Sequence, residues 1–210
     1  MIDRLTLIVL LSSVLAYPAT ELFSWHVTDN QVRLNRRFDL VLHSRIRTRQ
    51  EFQHVQQLRT GSILRMQAGK NLIPYVGYYF QPAHEPNDPW VRGHRVFVGV
   101  ERPFALPNRM VMTTRLAAER HMNTGRPNYF RFRTYMRLQF PGRKVAPFIQ
   151  NEWLAVKQGF HSVRNSGGLR MRLSPAVTLE AGYLYDIRRT FWGGDRSAIV
   201  TALKFQKPER

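Results

Sequence analysis

Cysteine is absent from the 210 residues. That excludes disulfides, thiolate metal sites and a lipid-modified N-terminal cysteine. Acidic residues are scarce, 14 against 32 Lys and Arg, so the formal net charge is +18. Long apolar runs are missing too: past the N-terminal stretch none approaches the ~20 residues that a transmembrane helix needs. Seven histidines show no HExxH or paired metal spacing, and no phosphate-cradling glycine loop occurs. Neither a metal site nor a cofactor is therefore expected. The surplus of base is spread along the chain and interleaved with apolar residues. With no helix-turn-helix, zinc finger or RNP-like stretch, nucleic acid is not the expected partner.

What the chain does have is alternation. Residues 129–140 read YFRFRTYMRLQF. One face carries Tyr129, Arg131, Arg133, Tyr135 and Arg137, and the other Phe130, Phe132, Thr134, Met136, Leu138 and Phe140. A period of two over this length is a strand pattern, and a helix would smear these groups around its circumference. A tilted strand of about 9–11 residues crosses a bilayer. The stretch predicts one stave of a β-barrel, with its oily face toward lipid and its arginines toward the lumen. Mean hydropathy is slightly negative. Barrels escape such averages because lumen residues dilute the lipid-facing ones.

Residues 1–16 read as a secretory signal. Arg4 precedes the apolar run 5–15, and Val14 and Ala16 occupy the small-residue positions before a cut, with Ala19 as the alternative. Residues 17–37 form an N-terminal segment that is either a lumen plug or an extra closing strand. A barrel is expected over 38–206, followed by a tail over 207–210. The fold class is all-β, an antiparallel up-and-down transmembrane barrel of about ten strands, with twelve as the alternative count. Gly, Pro, Asn and Asp fill the connections. These alternate short (69–71, 141–144, 174–176) with longer (81–90, 122–128, 158–162, 191–195), and the same register places a turn at 29–31. Short periplasmic turns and long outer loops are the pattern of outer-membrane barrels.

The order of motifs resembles a known family. Trp25, Arg45/Arg47, His94-Arg95, Arg131/Arg133, Glu152 and Gly182-Tyr183-Leu184-Tyr185 are together similar to the bacterial domain-of-unknown-function family numbered 2490, regarded as outer-membrane β-barrel proteins. The resemblance spans roughly residues 23–205. It implies a location and an architecture but no reaction. Such barrels end on an aromatic residue read by the assembly machinery, whereas here five residues follow Phe205.

In this register the lumen collects Arg45, Arg47, Arg59, Arg65, Arg95, Arg115, Arg131, Arg133, Arg137, Arg170 and Arg172. Their acidic partners are Glu101, Glu119, Glu152, Glu180 and Asp186. A buried guanidinium needs water, a carboxylate or an anion. Two readings follow: a structural ladder of cross-strand ion pairs, or a surplus positive field that favours small anions. About ten strands leave little open bore, so a wide porin is not expected. The expected function is an integral outer-membrane barrel, either a narrow anion-favouring conduit or a binding barrel. The alternatives are a packed structural barrel touching lipopolysaccharide, a lipid A-modifying hydrolase at the rim, or a secreted β-sandwich. The hydrolase would rest on His161-Ser162, or on His121, in outer loops, and this weak pairing does not assign an enzyme. Expected partners are outer-membrane lipid, lipopolysaccharide, small anions and the barrel assembly machinery, with the protein a monomer.

Overall fold

The computed structural model describes residues 22–49, 52–84, 89–157, 159–189 and 194–206. The signal and tail expected at 1–16 and 207–210 lie outside them. Eleven strands follow in chain order: β1 (Leu22–Arg33), β2 (Phe38–Arg49), β3 (His54–Met66), β4 (Ile73–Phe80), β5 (Gly93–Ala105), β6 (Val111–Asn123), β7 (Arg126–Gln139), β8 (Val145–Val156), β9 (Gly159–Arg172), β10 (Val177–Arg188) and β11 (Arg196–Gln206). Each pairs with its sequence neighbour, and β1 meets β11 to close a barrel. Among the described residues the helical content is one 3₁₀ turn, Pro107–Arg109. No helix there is long and apolar enough to cross a membrane, which says nothing against strands that do.

The wall has one strand more than the ten counted from Phe38. The segment left open between plug and wall is a wall strand, β1. Successive pairs are antiparallel, but β1 and β11 run parallel, from Leu22↔Ser197 to Gln31↔Gln206. Odd parity dictates this: in an up-and-down chain of eleven strands the first and last point the same way.

Alternation sorts the side chains. On β7, Phe130, Phe132 and Met136 stand outward, 58%, 64% and 51% exposed. Val96 and Val98 of β5, Leu116 of β6 and Trp153 of β8 continue this exposed apolar band. The opposite parity lines a central cavity. At three inward positions the residue is glycine, and a ring from the next strand lies over it: Tyr79 over Gly61, Phe97 over Gly77, and Tyr75 over Gly99. A Cβ at any of them would strike that ring. Such aromatic-over-glycine pairs pin register while letting the sheet curve.

β1 inverts the pattern. Its Trp25 and Val27 line the cavity, while His26, Thr28 and Asn30 are exposed on the other face. The outward polar groups find partners on their neighbours. Ser24 Oγ and Thr48 Oγ1 share a 2.7 Å hydrogen bond, and His26 Nδ1 and Thr201 Oγ1 one of 2.8 Å.

The connections differ from the sequence expectation in two places. Asp29–Gln31 is no turn; it lies within β1, and the chain reverses at 34–37. There Asn35 Oδ1 accepts from the backbone N–H of Arg37 (2.8 Å) and Phe38 (3.0 Å). The longer connections expected at 122–128 and 158–162 are instead the shortest in the barrel. β6 ends at Asn123 and β7 begins at Arg126, while β8 ends at Val156 and β9 begins at Gly159. Gly125 (φ 73°) and Gly159 (φ 103°) supply the left-handed backbone that tight reversals require. Loop length therefore does not separate the two rims. The connection after β4 is the longest, and Ala83 in it bridges both Gln57 and Val91, extending the wall.

Candidate binding interior

One row of inward residues crosses seven strands. Glu101 pairs in register with Arg115, Arg115 with Tyr135, and Tyr135 with Glu152. Glu152 then faces Arg164, Arg164 faces Asp186, and Asp186 faces Arg196. Acid and base thus alternate from β5 to β11, with one tyrosine in the row. The bonds are charge-assisted. Arg115 donates through two nitrogens to Glu101, which also accepts from Arg65 at 2.6 Å. Glu152 accepts from Arg133, and from Arg164 at 3.1 Å. Arg164 Nε lies 3.2 Å from Asp186.

Two further carboxylates act as hubs. Glu119, 2% exposed, accepts from Arg131 Nε (2.8 Å) and Nη2 (2.6 Å). It also meets Arg95 and Arg133 at 3.5 Å, and His121 Nε2 at 3.1 Å. His121 stacks on Tyr129, with centroids 4.5 Å apart. Glu180 holds Arg137 bidentately at 2.8 and 3.0 Å, and Lys204 at 2.9 Å. Buried carboxylates with several cations each are what such an interior requires, because an unpaired buried charge costs several kcal/mol.

Three arginines of β2 and β3 lack this compensation. Arg45 of β2 and Arg59 of β3 are direct cross-strand partners of like charge. Among the described residues neither they nor Arg47 has a carboxylate within salt-bridge distance, 4 Å. Arg45 donates to Gln57 Oε1 at 2.6 Å. Arg47 lies 3.8 Å over the Trp25 ring, and Arg59 5.1 Å from the centre of Tyr79. The Nε atoms of all three are buried with no hydrogen-bond partner.

The central cavity is about 500 Å³. Ten basic and five acidic side chains line it, so its walls carry excess positive charge. Arg45, Arg59, Arg65, Arg95, Arg115, Arg133, Arg137 and Arg170 border it, with Glu101, Glu119, Glu152 and Glu180. Arg47, Arg131 and Asp186 stand just behind, held by Trp25, Glu119 and Arg164. Arg172 is the last residue of β9 and is exposed. Sequence reasoning passed over Arg164, although it alternates in phase with Arg170. It also passed over Lys204, a lone cation in the inward row of β11, and the His43–Asp29 pair at 2.7 Å.

The rim-hydrolase pairing fails on geometry. His161 and Ser162 are not in a loop but within β9, 7% and 0% exposed. Ser162 Oγ has no hydrogen-bond partner, so no base holds it. His121 is engaged by Glu119. Among the described residues no three metal-ligating side chains gather.

A family model described as "Protein of unknown function (DUF2490)" matches residues 23–197. No curated protein matches the chain. Among solved structures, the chain is similar to the crystal structure of the beta domain of the Bordetella autotransporter Brka. That likeness has a TM-score of 0.48 and 13% identity, and covers 75% of this chain and 80% of the other.

Proposed function

We propose that this chain, which belongs to the DUF2490 family of proteins of unknown function, is an integral outer-membrane barrel whose narrow, charge-lined interior takes up small anions. One observation carries the reading: a closed wall that is apolar outside and holds twice as many basic as acidic side chains around its cavity. Strands of up to 14 residues are long enough to cross a bilayer at a tilt. Positive rings favour anions over cations, and ion pairs spanning the bore leave no room for bulk flow. Exposed basic residues at the rim of the β4–β5 and β8–β9 connections, Arg92 and Lys157, suit the phosphates of lipopolysaccharide.

Envelope fractionation followed by planar-bilayer recording tests this. The expected outcome is recovery with the outer membrane, and small conductance or none, with any current carried by anions. Large unselective currents, cation preference, or recovery in the aqueous fraction would sink it. A structural barrel sealed by its own salt bridges is the second reading, favoured by the enclosure of Glu119 among three arginines and a histidine. It expects a silent bilayer and no anion uptake.

A further inference from the structure

Among the described residues, three arginines of β2 and β3 have no carboxylate in salt-bridge contact; of the other basic residues bordering the cavity only Arg170, which donates to Gln139 at 3.1 Å, shares this. Arg65, Arg115, Arg131, Arg133, Arg137, Arg164 and Lys204 each meet a Glu or Asp. Arg45, Arg47 and Arg59 do not, yet Arg45 and Arg59 are each only 9% exposed. They are also placed to repel. Arg45 faces Arg59 directly across β2 and β3, and Arg47 follows Arg45 on the same face of its strand. Like charges directly opposite are destabilising, and buried ones more so. Register does not force this arrangement, since a Glu at either position would extend the charge ladder. What remains is three cations, each presenting a buried, unused Nε–H.

We infer that Arg45 and Arg59, which border the cavity, backed by Arg47 behind Trp25, form a site for a phosphate-type oxyanion held against the Trp25–Tyr79 wall. A guanidinium offers planar, paired donors that match tetrahedral oxygens, and it stays charged. Two of them at the cavity and a third behind, none in salt-bridge contact with a carboxylate, suit a group carrying two negative charges. Chloride has one, and no oxygens for the fork to grip. The Trp25 face is already covered by Arg47, so no ring is left there for a base or sugar to stack on. Recognition falls on the anionic group itself. The closed wall separates the site from lipid, so the anion arrives from water. The assignment rests on the anion-favouring reading above, in that the interior must admit aqueous anions.

The test uses refolded barrel in detergent, with inorganic phosphate as the probe. Phenylglyoxal modification of arginine, read residue by residue by mass spectrometry, should label Arg45 and Arg59, which border the cavity, in chloride buffer. Phosphate should then protect these two and leave exposed Arg102 reactive. Calorimetric titration should give one saturable phosphate site, weakened at least tenfold in R45Q/R59Q and by less than twofold in K204Q, which removes charge elsewhere in the cavity. Heat-modifiable gel mobility verifies that the variants fold, and the protection experiment needs no variant. Labelling without phosphate protection, equal competition by chloride, or equal losses in both variants would overturn the site while leaving anion uptake standing. Interior arginines that never label would remove both.

Discussion

Glu119 shows how much one side chain can hold. It sits among Arg95, Arg131, Arg133 and His121, so its removal strands several buried cations at once. Glu119→Ala should cost about 3–5 kcal/mol, the usual penalty for breaking a buried pair. Urea unfolding of vesicle-inserted protein would measure it, and a loss below 1 kcal/mol would contradict the hub. On the outer face the sign reverses. Phe132→Arg, near mid-height of β7, should cost about 2–4 kcal/mol in lipid and much less in a swollen detergent micelle. Which face each arginine takes was legible from alternation alone. Its partner was not. Arg137 on β7 reaches Glu180 on β10, two strands beyond its neighbour, and only the curvature of the closed wall brings them together.

At the scale of the element, nine strands could be read and oriented from their period of two, with oil mostly outward and polarity inward, whereas β4, aromatic on both faces, could be placed but not oriented. β1 could not be oriented, since Trp25 and Val27 face the cavity together with Asp29 and Gln31, while Ser24, His26, Thr28 and Asn30 take the other face. Nothing local distinguishes such a strand from a plug. The tight turns at Gly125 and Gly159 were hidden for a related reason: the polar residues that resemble loop, Asn123 and His161-Ser162, belong to strands. The cysteine-free background makes the β1–β11 pairing directly testable. H26C/T201C, at positions in register, should form a disulfide on mild oxidation. H26C/L203C, displaced by two residues, should not. The reverse result would refute the parallel closure.

For the molecule as a whole, an odd number of strands sets the two ends of the wall at opposite rims. Leu22 lies at the rim of Ser197, and Gln206 at that of Gln31. An epitope inserted before Leu22 should be reached by antibody from one side of the membrane, and one after Gln206 only from the other. Labelling of both in intact cells would be incompatible with eleven spanning strands. The alternating row from Glu101 to Arg196 has a consequence for assembly. Along this row the seven strands hold each other's counter-charges, three acids against three bases, so the row is paired before the cylinder shuts. The β2–β3 arginines have no such row. Insertion should therefore proceed from the C-terminal portion, with cross-links between β5 and β6 forming earlier in refolding than those between β1 and β11, and the arginine flank should be the last section to leave water.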